Sequence, residues 1–333
     1  MRNGGHLTPN PFLEFHTLQK TYNTAEAVKT FEFERRCVKT VLRFIEEASI
    51  AHDIDLVEGG HIALFVTEEE EKSARRDYTA AVDAGLVLDD VEWIEKDVML
   101  QRYGASYPGV RFPAHNLWPL KLVTRLYHIS KDSLDLHLHT STPVTSISKS
   151  QAGNRRYTLK TPRGSIHADF IIHATNAYAA YLLPHMHGPK GIIPTRGQVV
   201  AIRHSPPQGR ERDVLRKASW DANEGFEYWF PRPPRAAHED LPLVILGGGR
   251  EAAKDTGYEV YVSDDSVCNA VVGQALRGFL GSLYEGEQEG AGAVEREWVG
   301  PVVDHSSSSN DYEGQYIWRC VIQDMGCREL LGG

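Results

Sequence analysis

The order in which helical and strand patterns follow one another constrains this chain more than any other feature. Val28, Phe31, Val38, Val41, Leu42 and Ile45 recur near helical spacing after Asn23, which can cap that helix with Glu26 as its reciprocal partner. Residues 61–67 and 91–95 read as strands on either side of a charged helix, 68–84. Four glutamates open that helix, as favours an N-terminus, and Gly85 suits its stop. Residues 104–118 read as loop, and Pro119 opens an amphipathic helix. A β-rich block follows at 134–139, 144–148, 157–160 and 166–173, broken by turns at 153–154 and 162–164. Residues 176–183 read as a short helix, 197–203, 226–230 and 243–246 as strands, and 264–283 as a helix. Strict βαβ alternation is missing from this order. The fold class is therefore α/β and α+β, with two interleaved domains, one of them built on an antiparallel sheet.

Composition narrows the function classes. The chain has 333 residues, 41% of them hydrophobic and 24% charged, which excludes disordered, collagen-like and coiled-coil chains. A net charge of −9 argues against a nucleic-acid partner, which would call for a basic stripe. No apolar run is long enough to cross a membrane, and residues 1–6 carry no signal-peptide core. Cys37, Cys268, Cys320 and Cys327 form no C-x-x-C pair, so a cytoplasmic, reducing location is expected.

Four motifs stand out. Arg2-Asn3-Gly4-Gly5-His6 is a glycine pair flanked by polar groups, suited either to close backbone approach to an anion or to a terminal tail. In Ile171-Ile172-His173-Ala174-Thr175-Asn176-Ala177-Tyr178 an apolar run enters a small-residue turn that opens a helix. That arrangement suits a phosphate, or simply an ordinary connection. Arg196, before Gly197-Gln198, stands at the mouth of a strand, where it can bind an anion or act as a plain surface cation. Gly247, Gly249 and Ala252 mimic a dinucleotide fingerprint, but Lys254–Gly257 breaks any helix after one turn, so a nicotinamide site is rejected. The His137/His139 and His185/His187 pairs have no carboxylate or cysteine cluster beside them, and no metal site is expected.

Six segments occur in a recognisable order: RNGGH at 2–6, HNLWPLKL at 115–122, HTSTPVTSI at 139–147, ATNAY at 174–178, PTRGQ at 194–198 and VILGGGR at 244–250. On these the chain resembles the FAD-dependent oxidoreductases of the D-amino-acid oxidase, glycine oxidase and sarcosine oxidase type, and looks closest to fungal members. The resemblance implies FAD as cofactor and a small-molecule amine or amino acid as substrate, with hydride transfer from its C–N bond to flavin. It implies that Arg2, Asn3, Gly4, Gly5, His6 and Leu7 wrap the flavin and pyrophosphate, and that Val144 meets adenine. Ala174, Thr175, Asn176 and Tyr178 would close over phosphates and ribose, with Arg196 and Gly197 nearby. The resemblance further implies that Tyr228 and Arg232 would take the substrate-binding, catalytic positions.

The same resemblance marks departures. The family opens with a strand, a G-x-G-x-x-G loop and a helix that hold the ADP half of FAD, and no such unit precedes RNGGH here. Glu297–Pro301 looks like two family pieces joined without their middle, and the resemblance ends at Ile317. Back-translated and shifted by one base, Gln323–Arg328 spells Thr-Gly-His-Gly-Met-Pro, the family's flavin-side motif, so 318–333 is expected to be a frame-shifted tail. The expected organisation is an incomplete, Rossmann-like FAD-binding domain from 1–52, 108–188 and 297–317. It is interleaved with an antiparallel-sheet substrate domain from 53–107 and 189–296. The alternative to an oxidase is a truncated, inactive fragment acting at most as a binding module.

Overall fold

The computed structural model describes residues 3–150, 155–189, 191–204, 211–234, 241–284 and 293–304. In chain order its strands are β1 (His6–Leu7), β2 (Val57–Glu58), β3 (His61–Leu64), β4 (Glu92–Ile94), β5 (Gly109–Phe112), β6 (His115–Asn116) and β7 (Ser146–Lys149). Then follow β8 (Tyr157–Thr161), β9 (Gly164–Ala168), β10 (Ile193–Arg203), β11 (Ser219–Ala222), β12 (Glu227–Pro231), β13 (Leu243–Gly247) and β14 (Val294–Asp304). The helices are α1 (Phe15–Thr21), α2 (Thr24–Glu47), α3 (Glu68–Asp83), α4 (Lys96–Tyr103), α5 (Pro119–Ser133), α6 (Ala179–Leu182), α7 (Arg212–Leu215) and α8 (Ala270–Leu283).

An eight-stranded mixed sheet in the order β14-β10-β13-β12-β11-β3-β5-β4 organises the molecule. Only β11 and β3 run parallel within it; the remaining pairs are antiparallel. The α/β and α+β reading of the sequence therefore holds. The pleat sorts the side chains. Ile62, Leu64, Trp220, Trp229, Leu246 and Val200 point to one face, where α8 covers them with Val272, Leu276, Leu280 and Leu283. Ala63, Phe65, Val110 and Phe112 point to the other, against Phe15, Leu18 and Phe31 of α1 and α2 and Ala74 and Ala81 of α3. Helix caps follow the sequence: the Asn23 and Thr67 side chains accept from the Glu26 and Glu70 amides at the starts of α2 and α3. The sheet includes β5 and residues 297–304 of β14, stretches that were expected on the cofactor side.

Several elements depart from the sequence reading. Residues 104–118 are not plain loop, because Val110 and Phe112 alternate inward and insert β5 between β3 and β4. The helix expected from 264 begins at Ala270, where Asn269 accepts from the amides of Val271 and Val272. Strand β11 and the short α1 and α7 had no strong pattern of their own. Residues 134–139 and 169–173 are not strands. A strand needs a neighbour on at least one edge, and no described strand pairs with either stretch. Leu134, Leu138, Phe170 and Ile172 are left 66%, 60%, 78% and 89% exposed. The β7-β8-β9 meander forms its own sheet, with Pro162-Arg163 as the β8–β9 turn. The expected turn at 153–154, most of the loops around 205–210 and 235–240, and the 305–333 tail lie outside the described residues.

Candidate functional site

The register of four neighbouring strands assembles a polar cluster on the α1/α2 face of the large sheet. On β3 and β11, Ser219 pairs with His61 and Asp221 with Ala63, so the three polar groups share one side of the pleat. His61 bridges them, with Nδ1 2.8 Å from Ser219 Oγ and Nε2 2.9 Å from Asp221 Oδ2. Asp221 faces Tyr228 on β12, and Tyr228 faces Gly247 on β13. Gly247 has no side chain for a physical reason: a Cβ there would stand 2.4 Å from the Tyr228 ring. Gly4 closes the ring from another direction, since its Cβ would meet Tyr228 Cε2 at 2.7 Å.

The N-terminal loop is thus a packed part of the site and not a free tail. Strand β1 pairs with β6, and Gly5 at φ 116° brings its backbone against the Leu117 carbonyl, where a Cβ would come within 2.2 Å. This seats His6 edge-on to His61 at 5.6 Å and to Tyr228 at 5.2 Å. Burial, and then the neighbouring His61, push the His6 pKa down to about 3, so its imidazole is neutral. One ring nitrogen bonds the Trp229 backbone, while Nε2 is buried without a partner. Burial pushes the Tyr228 phenol up to about 12, so it too is neutral at working pH. Glu227, on the opposite face of β12, is pushed up to about 8 by burial and then by Glu251, although Asn223 and the Gly249 amide donate to it. The Asn223 side chain bridges both carboxylates.

The other expected residues fall in three places. Arg2 lies outside the described residues, while Asn3 to Leu7 form the loop just described. Arg232 lies past the end of β12, 4.0 Å over the Trp118 ring and 3.2 Å from Asp55 Oδ2; Asp55 also pairs with Lys121 at 2.7 Å. Asn176, at φ 50°, donates to the Pro301 carbonyl at 3.4 Å, and Pro301 pairs with Arg196 while Gly197 faces Gly300. The structure therefore brings the turn of Ala174, Thr175, Asn176 and Tyr178 to the β10–β14 edge that carries Arg196 and Gly197. The Arg196 guanidinium is held there by Glu259 and the carbonyls of Asp264 and Val267. Val144 stands apart, in the run leading to β7. His61, Ser219, Asp221 and the Glu227/Glu251 pair were not singled out from sequence. The one available signal was Ser-x-Asp at strand spacing around Trp220.

A cleft of about 760 Å³ beside the 169–173 segment includes Arg156, Phe170, Ile171, His173 and Met186 in its walls. That is within the roughly 300–1,000 Å³ range of cofactor and ligand pockets. Among the described residues no cluster of three potential metal ligands occurs, and no helix is long and apolar enough to cross a membrane.

Comparisons with known proteins agree with this architecture. The family model described as FAD dependent oxidoreductase matches residues 1–317. No curated protein matches the sequence. Among solved structures, glycine oxidase from Geobacillus kaustophilus superposes with a TM-score of 0.60 at 20% identity, covering 90% of this chain and 72% of that one. Iminodiacetate oxidase from Chelativorans sp. gives 0.57 at 13%, covering 81% and 68%. L-α-glycerophosphate oxidase from Mycoplasma pneumoniae, with FAD bound, gives 0.58 at 14%, covering 92% and 73%. Such identities speak for the shared fold, and the match over 317 residues speaks for the family. The chain belongs to the FAD-dependent oxidoreductase family, whose cofactor is FAD.

Proposed function

We propose that this chain oxidises a C–N bond of a small amine or amino acid at the face of the large sheet where His6, His61, Asp221 and Tyr228 meet. The observation that carries the reading is the seating of the Asn3–Leu7 loop against Tyr228, with Gly4 and Gly247 both bare to admit that ring. Two features fit a flavin dinucleotide. The exposed turn at Ala174, Thr175 and Asn176 offers backbone close to the cleft containing Arg156, whose guanidinium suits phosphate. The loop glycines place main chain at the polar cluster. FAD, when bound, supplies the hydride acceptor. The chain's residues would orient the substrate: neutral Tyr228 by its hydroxyl, and Asp221, fixed by His61, by its negative charge. Tyr228 needs no proton exchange with bulk water to do so.

The purified full chain should release FAD close to one equivalent on denaturation, and it should consume oxygen with some member of an amine and amino-acid panel. Lack of both would favour the second reading, a binding module without oxidase activity. That reading draws support from the exposed apolar stretches at 134–138 and 170–172.

A further inference from the structure

We infer that Ser219 is a positioning residue, which acts through His61 to hold Asp221 as an oriented carboxylate at the site. This rests on the functional reading above and adds to it the buried end of the hydrogen-bond row behind Asp221. The strands supply the frame. Ser219 and Asp221 stand two apart on β11, on one side of its pleat, and His61 of β3 pairs with Ser219. Positions two apart on a strand are about 6.6 Å from one another. An imidazole with a hydrogen bond at each ring nitrogen bridges such a gap. His61 does so, with Nδ1 2.8 Å from Ser219 Oγ and Nε2 2.9 Å from Asp221 Oδ2. Burial is graded along the row. Ser219 is 0% exposed, the His61 side chain 1% and the Asp221 side chain 15%. Asp221 is the end that opens towards the cavity it lines with His6 and Tyr228.

The distances give the hydrogens their direction. Ser219 Oγ has two acceptors within reach, His61 Nδ1 at 2.8 Å and the Gly60 carbonyl at 3.4 Å. The second is longer than the roughly 2.5–3.0 Å of an O–H···O bond. That carbonyl also accepts the Ser219 amide already, at 3.0 Å. The hydroxyl hydrogen therefore goes to Nδ1. An imidazole that accepts at Nδ1 carries its hydrogen at Nε2, and there it donates to Asp221 Oδ2. The other tautomer would set two lone pairs against each other at Nε2 and Oδ2. A ring protonated at both nitrogens would leave the Ser219 hydroxyl only the long contact to Gly60. Ser219 thus fixes the ring and its tautomer from the side away from the cavity, and the ring in turn fixes the carboxylate. Without the hydroxyl, Nδ1 is bare and His61 loses one of the two bonds that hold its plane.

Long-range nitrogen–proton correlation spectra of the full chain, labelled with 15N at histidine, test this without any variant. Near neutral pH, His61 should appear as the Nε2–H tautomer with a hydrogen-bonded Nδ1. The Nδ1–H tautomer, or a ring protonated at both nitrogens, would overturn the inference. With an amine that the chain oxidises, Ser219→Ala should raise KM about fivefold, the worth of one hydrogen bond, while kcat and bound flavin change by less than about twofold. Ser219→Thr, which keeps the hydroxyl, should restore KM. The effect of Ser219→Ala should vanish in an Asp221→Ala background, because the hydroxyl acts through that carboxylate. The same rise in that background would show a merely structural serine and overturn the inference. The two readings fail separately. An Nε2–H ring in a chain that oxidises no amine supports the hydrogen-bond row and counts against the oxidase, whereas an Nδ1–H ring in an active oxidase overturns the row alone.

Discussion

His6 and Glu227 face opposite electrostatic problems. His6 is held neutral because its charged form is buried beside a second imidazole. Glu227 is held protonated because its charged form is buried beside Glu251. Between about 3 and 6.5 the unfolded chain binds a proton at His6 that the native state refuses, so stability rises with pH there. Between about 4.5 and 8 the native state keeps a proton at Glu227 that the unfolded chain releases, so stability falls with pH there. From these two groups thermal stability should be greatest where the windows overlap. Glu227→Gln should flatten the alkaline decline, and His6→Gln the acid one. Melting temperatures of the three proteins across pH check this, and an alkaline limb unchanged in Glu227→Gln would refute it. Tyr228 adds a kinetic expectation. Its phenol is neutral, so Tyr228→Phe removes a hydrogen bond and no charge. KM for the substrate should rise about tenfold, the worth of one such bond, with bound flavin and the pH profile unchanged.

At the scale of elements, the site depends on strands that leave room for one another. The Tyr228 ring is confined between Gly4 and Gly247, where a Cβ would approach to 2.7 and 2.4 Å. Gly247→Ala should therefore cost about 1–3 kcal/mol, as overpacking does. The cost should shrink in a Tyr228→Ala background. Denaturant unfolding of the four proteins measures the coupling, and strictly additive changes would refute the clash. This site was only partly legible in the sequence. The long α2 announced itself by period and its Asn23 cap, α3 by the glutamates at its start and Gly85 at its stop, and the strands 197–203, 226–230 and 243–246 by apolar runs. The motif order brought in Gly4, Gly5 and His6, and position within the resemblance brought in Tyr228. Strand β11 has no such run: Ser219-Trp220-Asp221-Ala222 is short, and its two polar residues reach His61 only through the parallel pairing with β3, more than 150 residues away in the chain. Register between distant strands is not written in local pattern, so the His61–Asp221 pair needed the fold. The opposite error arose at 134–139. There the local alternation is strand-like, but a period without a pairing partner yields exposed leucines.

The whole molecule is unevenly built. The eight-stranded sheet is packed on both faces, by α8 on one side and by α1, α2 and α3 on the other. Helix α5, by contrast, buries none of its residues, and the β7-β8-β9 sheet is largely open to solvent. Cooperative stability should therefore reside in the large sheet, with local opening elsewhere. Hydrogen exchange should be slowest along β10, β12 and β13 and near the unprotected rate over 137–144 and 169–175; slow exchange in those stretches would contradict this division. The exposed side chains carry a second consequence. Phe170 and Ile172 stand 78% and 89% exposed close together in the chain, beside the cleft wall at Ile171 and Met186. Apolar groups in that position promote self-association and add little to folding stability. Replacing both by serine should leave the melting temperature nearly unchanged, because exposed substitutions shift stability by about 0.5 kcal/mol or less. The same change should raise the monodisperse fraction in light scattering. A fall of more than about 2 kcal/mol would show instead that both side chains are buried in the folded protein in solution.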